Sequence, residues 1–337
     1  MRLEHFASVG IVGMGQIGAS LALGLRHRVG VVGFDADPRA AEAAALQGIA
    51  QAGSVEELLR ETDLCIFAIP AGALKGQLAR LQAKRFAPSA ALADVCSTKL
   101  DIDEAMAAYS RAVGGVRYVG LHPLAGNERR GIAGAEAELF RGRTIAVSTG
   151  EATDSGAALS VASLVSSALG SRELFVNPAL HDRVTNFTIQ LPHVFAYLTS
   201  SFSNGIDDDS LLALLSGNSY GDVTRVARSS PEVVASFLFA NREVLLGALS
   251  EVEGRIGAFR EALRAGEAQT AELLARFAPR QRELELRGYA KSFEGAERLD
   301  AGAVVAELEA GRVLATAFAV EAGRLQVSGL QPQRADD

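Results

Sequence analysis

Four short stretches of the chain carry side chains that could do chemistry. In Gly120-Leu121-His122-Pro123-Leu124-Ala125-Gly126-Asn127-Glu128, which follows the apolar run 116–119, His122 would stand at the end of a strand. Pro123 fixes φ directly after it, so an imidazole that titrates near neutrality would leave the strand at a defined angle. That is how a general base is placed, and the plainer alternative is a turn histidine that only caps backbone groups. In Cys96-Ser97-Thr98-Lys99, Ser97 follows the apolar run 90–95, where its hydroxyl would either face a bound ligand or cap the helix that begins near Lys99. Gln190-Leu191-Pro192-His193 puts a proline beside a histidine inside a helical stretch. The proline should bend that helix, and His193 is then either a pocket residue or a satisfied core histidine. The polar segment 217–229 holds Asp222, Thr224, Arg225 and Arg228, and arginine's planar fork suits a carboxylate ligand better than a lysine does.

These groups need a scaffold, and the first half of the chain supplies a legible one. The apolar run 9–12 leads into Gly13-Met14-Gly15-Gln16-Ile17-Gly18 and then into a helical stretch, so the order is strand, glycine turn, helix. Gly13 would permit the tight turn, Gly15 would let backbone approach a pyrophosphate at the helix amino terminus, and Gly18 would let helix and strand pack closely. Gln16 and Ile17 lie within the same turn and are cofactor-binding candidates with it. The next apolar run, 29–34, ends in Asp35, about 20 residues past the first glycine, which is the spacing of a dinucleotide fingerprint. A carboxylate there accepts hydrogen bonds from the adenosine ribose and repels a 2′-phosphate, which favours NAD over NADP. Apolar runs at 64–69 and 90–95 have the continuous character of strands buried on both faces of a parallel sheet. Strands at 143–147 and 173–176 and a helix over 152–169 complete an α/β unit.

After Asn177-Pro178 the apolar period becomes helical for about a hundred residues, which marks an all-α domain. Ser230-Pro231-Glu232 is a helix start. From Val234 to Leu263 apolar residues repeat at three- and four-residue spacing for about eight turns, a stripe longer than one small domain needs, and it is expected to form part of a homodimer interface. The expected division is 1–176, a Rossmann-type dinucleotide-binding domain; 177–280, a helical substrate and dimerisation domain; and 281–337, an extension in which 313–319 and 324–327 could pair as strands.

Bulk composition narrows the partners. With a net charge of −7 there is no basic stripe to replace counterions, which argues against nucleic acid or an anionic membrane. Two isolated cysteines support neither a disulfide framework nor a zinc site, and no metal is expected. The amino terminus lacks a signal-peptide pattern and no apolar run reaches the length of a spanning helix, so a cytoplasmic protein is expected.

Taken together, Gly13-Met14-Gly15-Gln16-Ile17-Gly18, the stretch from Asp94 to Lys99, Gly120 to Glu128, Leu139-Phe140-Arg141-Gly142, His181-Asp182, Leu191-Pro192-His193 and Asp222-Val223-Thr224-Arg225 resemble the prephenate/arogenate dehydrogenase family of tyrosine biosynthesis over residues 5–265. The resemblance implies NAD-dependent oxidative decarboxylation of prephenate to 4-hydroxyphenylpyruvate, the alternative being oxidation of arogenate to tyrosine. It also implies His122 as the proton acceptor, Ser97 as the serine that orients the ring hydroxyl, Arg225 as the substrate-carboxylate arginine and His193 as a histidine near the substrate side chain. Asp182, Asp222 and Glu128 are implied as supporting carboxylates. Two departures from the family pattern, Ile189-Gln190 in place of Ser-His and Arg130 in place of a small residue, bear on how the substrate's tail is recognised. A reading of another class is a non-catalytic dinucleotide sensor, which would be expected to lack His122 or Arg225. A β-hydroxyacid dehydrogenase would need a lysine in the helical domain, and none occurs between Asn177 and Gly288.

Overall fold

The structure is a computed structural model, and it describes residues 5–278 except 87, 128, 130, 207 and 208, together with the strand segments 298–299, 314–315, 317–321 and 324–328. Strands β1 (Ser8–Val12), β2 (Gly30–Phe34), β3 (Ala50–Gln51), β4 (Leu64–Phe67), β5 (Ala91–Asp94) and β6 (Tyr118–Pro123) alternate with helices α1 (Gln16–Leu25), α2 (Pro38–Leu46), α3 (Val55–Glu61), α4 (Ala71–Ala83) and α5 (Leu100–Val113). They form a parallel sheet in the order β3-β2-β1-β4-β5-β6, which reverses direction between β1 and β4. The sheet continues through β7 (Thr144–Ser148), helix α6 (Ser155–Leu169) and β8 (Arg172–Val176), with β7 antiparallel to β6. The dinucleotide-binding α/β architecture expected from the sequence is therefore present.

The continuous apolar character of these strands has a direct cause. In β4, Leu64 and Ile66 enter one core with Leu21, Leu25 and Val165 of α1 and α6, while Cys65 and Phe67 enter the opposite core with Leu58, Leu74 and Met106 of α3, α4 and α5. Successive side chains of β4 point to opposite faces and both faces are covered, so all four of its residues are apolar; a polar residue in such a strand needs a buried partner, as Asp94 of β5 has in Lys99. Each large apolar side chain buried this way stabilises the sheet by roughly 1.5–3 kcal/mol.

At the opening motif β6 runs through Tyr118–Pro123, so His122 stands at the end of a strand as expected, the last residue but one, opposite Ala146 of antiparallel β7. The extra pairing comes from a strand about twenty residues downstream.

Beyond β8 the described chain is helical: α7 (Pro178–Thr185), a π turn over Asn186–Gln190, α8 (Leu191–Ser201), α9 (Asp209–Leu215), α10 (Asn218–Thr224), α11 (Pro231–Ala240), α12 (Arg242–Ala265) and α13 (Glu267–Phe277). Pro192 cannot donate in the helical ladder, and the chain meets it with a widened turn in which Leu191 N–H donates to the carbonyl of Asn186. The apolar stripe from Val234 onward is not one helix. It bends by 93° at Asn241, which is buried and takes a non-helical conformation. In the extension, β11 (Ala317–Glu321) pairs with β12 (Arg324–Ser328) as the strand spacing suggested; β9 (Arg298–Leu299) joins β12, and β10 (Leu314–Ala315) lies along β8.

Candidate active site

The carboxyl ends of β1, β4 and β5 open into a cavity of about 550 Å³ at the point where strand order reverses, and its far wall is α11. This is where open α/β sheets hold ligands. Gly13 has φ of +100°, and a Cβ on it would overlap the carbonyl of Ala68; one on Gly18 would overlap the carbonyl of Gly13. Gly15, the residue before α1, has open space around its missing side chain, and no side chain caps the helix. Its first-turn N–H groups are thus left to an anionic ligand, and a pyrophosphate fits this turn. At the end of β2, Asp35 accepts from Met14 N–H (2.6 Å) and Asp37 N–H (2.8 Å), one on each oxygen. Those two bonds fix the carboxylate while leaving lone pairs for ribose hydroxyls.

Gln16 and Ile17 line the cavity, but the side chain of Gln16 is turned to another task. Its amide donates to the side-chain oxygen of Asn127 and to the carbonyl of Arg129 (3.1 Å), so it pins the loop after β6 against the glycine turn. Asn127 and Arg129 thereby become cavity residues, which the sequence did not single out. Ser97 also lines the cavity, and no cap bond ties it to α5.

His122 is buried near the carboxyl end of β6, level with Cys96 by the register that sets Asp94 opposite Gly120, and it is not among the residues that line the cavity. Its Nδ1 lies 2.9 Å from Nε2 of His181, whose Nδ1 lies 2.7 Å from Oδ1 of Asp182. Asp182 is held in turn by the N–H groups of Lys99 (2.8 Å) and Leu100 (3.0 Å) at the amino terminus of α5. The tautomers follow from this order. A carboxylate only accepts, so His181 carries its proton on Nδ1; its Nε2 then accepts, and His122 must donate from Nδ1. The Nε2 of His122 keeps its lone pair. Burial, then the neighbouring His181 and the Lys99 ammonium, hold the His122 pKa well below the usual histidine range, so the ring is a neutral proton acceptor.

Beneath this relay Lys99 is fully buried, with Nζ donating to Asp94 Oδ1 (2.6 Å) and to the carbonyl of Leu121 (2.7 Å). Tyr118 Oη donates to the other oxygen of Asp94 (2.5 Å).

A prephenate dehydrogenase nucleotide-binding domain matches residues 20–172, and a prephenate dehydrogenase dimerization domain matches residues 177–278. The chain belongs to the prephenate dehydrogenase family. It is 28% identical to the prephenate dehydrogenase of Bacillus subtilis over 251 residues, 72% of this chain and 66% of that protein. It is 26% identical to the cyclohexadienyl dehydrogenase of Zymomonas mobilis over 251 residues, 72% of this chain and 84% of that one. The matched stretch therefore spans just under two thirds of the Bacillus protein's length. Among solved structures, Aquifex aeolicus prephenate dehydrogenase in complex with hydroxyphenyl propionate and NAD+ shares the fold with a TM-score of 0.71 at 24% identity, covering 83% of this chain and 99% of that one. Synechocystis arogenate dehydrogenase matches with a TM-score of 0.63 at 26% identity over 84% and 98%.

In this prephenate dehydrogenase family member the remaining predicted residues divide into two groups. His193 donates from Nδ1 to the carbonyl of Ile189 (2.8 Å) and meets the ring of Phe237 edge-on at 5.0 Å; Phe237 lines the cavity. Asp222 and Arg225 are exposed and are not among the cavity's lining residues, although Ser229 and Ser230, a few residues on, are. Glu128 and Arg130 lie outside the described residues. Gln190, one of the two departures from the family pattern, is buried and structural: its side-chain oxygen accepts from Asn186 (2.8 Å) and Asn241 (2.9 Å), and Asn241 also donates to the carbonyl of Asp182 (3.0 Å). His181, quoted in the sequence only as part of the His181-Asp182 motif and given no role there, joins His122 to Asp182.

Proposed function

We propose that the protein is an NAD-dependent prephenate dehydrogenase that converts prephenate to 4-hydroxyphenylpyruvate with loss of CO2. The observation that carries this reading is the His122–His181–Asp182 relay, which leaves one unprotonated imidazole nitrogen near the carboxyl end of β6, in the same sheet whose β1 ends in the dinucleotide-shaped turn. When bound, NAD supplies the acceptor for the hydride that leaves the ring carbon. His122 Nε2 takes the proton of the hydroxyl on that carbon, and His181 and Asp182 stabilise the imidazolium that results. Ser97 orients the hydroxyl. Arg225 and His193 act on the substrate's carboxylate and side chain, and Asp222 and Glu128 support them. The substrate's aromatisation on losing CO2 provides the driving force, so holding the reacting groups in place is most of the protein's work.

A second reading has an observation of its own. Glu232, at the start of α11, lines the cavity and accepts from the hydroxyl of Ser230. A carboxylate on that wall suits an ammonium, which arogenate has and prephenate lacks. Absorbance of NADH with purified protein, given prephenate or arogenate and NAD or NADP in all four combinations, separates these readings; no turnover with either substrate overturns both.

We also read the protein as a cytoplasmic homodimer, divided at 1–176, 177–280 and 281–337. Leu198, Phe202, Leu214, Leu215, Ile256 and Leu263 are exposed on the helical region, more apolar surface than a lone subunit usually leaves in water. Among the described residues no single helix is long and apolar enough to cross a membrane, and both cysteines are free and buried. Light scattering after size exclusion tests the dimer.

A further inference from the structure

We propose that Lys99 is the positioning residue of the active site, one residue that holds His122 from both ends. The inference rests on His122 being the proton acceptor, as read above. From one end, the Lys99 ammonium donates to the carbonyl of Leu121, the peptide unit that leads directly into His122. From the other end, the Lys99 backbone N–H donates to Asp182, which fixes His181, which fixes the Nδ1 of His122. The strand segment and the imidazole ring are thus referred to a single residue at the start of α5.

The path to the carbonyl is built for a lysine. Its stem passes Gly120, where an added Cβ would meet Lys99 Cδ at 3.4 Å, Tyr118 Oη at 3.0 Å and Ser148 Cβ at 2.9 Å. At the far end Asp94 offers one oxygen to Lys99, with Tyr118 on the other oxygen and Cys96 N–H sharing the first (2.7 Å). Both partners of the ion pair are completely buried. Such a pair is a poor device for stability, because desolvation cancels most of the attraction and a well-packed apolar pair often does better. Placement is the better reason for keeping it. The ionisable groups around His122 are His181 and Asp182 on α7, Lys99 just before α5, Asp94 on neighbouring β5 with Cys96 after it, and Tyr118 on His122's own strand; among these the ammonium of Lys99 opposes a second positive charge on the imidazole.

The test compares wild type, Lys99→Met and the neutral pair Lys99→Met/Asp94→Asn, the last removing the orphaned carboxylate that could unfold the single variant. The readouts are steady-state kinetics with prephenate and NAD, and an NMR titration of labelled histidine in the protein alone. Lys99→Met is expected to lower kcat 10- to 100-fold with both KM values within about threefold, and to raise the His122 titration midpoint. The pair should recover thermal stability without recovering kcat, because the carbonyl of Leu121 still lacks its donor. Full recovery of kcat in the pair, or an unchanged His122 midpoint in Lys99→Met together with wild-type kcat, would overturn the proposal. Should Lys99→Met not fold, the pair alone decides, on kcat. A wild type that turns over neither prephenate nor arogenate would instead sink the functional reading, and the titration would then decide the positioning: a His122 midpoint that moves in the folded variants supports it and one that stays overturns it.

Discussion

The ring of His122 meets the ring of His181 edge-on, with centroids 5.0 Å apart and planes at 71°, so that one nitrogen of each faces the other across 2.9 Å. Only one arrangement of protons suits that contact once Asp182 fixes the far side of His181. The relation between the two histidines, more than either alone, determines which nitrogen of His122 is basic.

Removing the proposed base tests the chemistry directly. His122→Asn should lower kcat by on the order of 10²-fold or more while NAD affinity, measured by titration, stays nearly unchanged. His181→Leu should lose roughly ten- to a hundredfold, because the ring of His122 loses the acceptor that sets its tautomer. An His181→Leu enzyme at full rate would show that the relay has no part in turnover.

The pH profile carries a sign. His122 must be neutral to accept a proton, and its pKa is lowered by burial, by His181 and by Lys99, so the neutral form persists to lower pH than in a free histidine. The acid limb of kcat/KM should therefore fall below about 6.5, the ordinary histidine value. The same shift links to stability: above the unfolded value His122 imposes no penalty, and stability is lost as pH falls from there toward the folded pKa. An acid limb at or above 6.5 would mean that a different group is the base.

A buried carboxyl in β8 acts in the opposite direction. Glu173 is pushed up to about 7 by burial, against hydrogen bonds from Ser171 and Ser166. Its folded pKa exceeds its unfolded one, so its contribution is fully present below about 4.5 and is lost as pH rises through about 7. Glu173→Gln should thus be more stable than wild type at pH 8 than at pH 5, by on the order of 2–3 kcal/mol in relative terms. Denaturant unfolding of both proteins at the two pH values checks it, and parallel pH dependences would rule it out.

What could be seen in the sequence, and what could not, divides along a physical line. The strands β1, β4 and β5 were legible because a doubly covered strand is apolar over most of its length, and the glycine turn because Gly13 and Gly18 answer local steric demands. His122 and Asp182 were legible as chemistry-bearing types in short motifs. The pairing of β6 with antiparallel β7 and the 93° bend at Asn241 were not, since each depends on a partner elsewhere along the chain. Lys99 was hidden for a related reason. A lysine after a strand reads as a solvated residue, and only the fold reveals the carbonyl and carboxylate that receive its ammonium.

The buried amides behind the site make a stability prediction. Asn241 donates to the carbonyl of Asp182 and to Gln190, and so ties the bend between α11 and α12 to the relay. Asn241→Ala leaves buried acceptors without a donor and should cost roughly 1–3 kcal/mol. Gln190→Leu should cost a similar amount without a specific loss of substrate affinity, since its side chain faces Asn186, Asn241 and the carbonyl of Phe237. A large rise in KM with unchanged stability would instead make Gln190 a substrate contact.

Glu232 offers the sharpest test of substrate choice. It stands on the α11 wall of the cavity, close to the hydroxyl of Ser230, and among the described residues it is the one carboxylate that lines the cavity. If arogenate is accepted, its ammonium is the group that a carboxylate there would recognise, and prephenate's keto oxygen in the same position would be repelled. Glu232→Gln removes the charge but keeps the shape. The expected result is a shift in the ratio of kcat/KM for prephenate over arogenate of about tenfold toward prephenate, equivalent to about 1.4 kcal/mol, one exposed charge-assisted contact. A ratio that does not move would place the amino or keto end of the substrate elsewhere, on the side of the cavity bounded by Asn127 and Arg129.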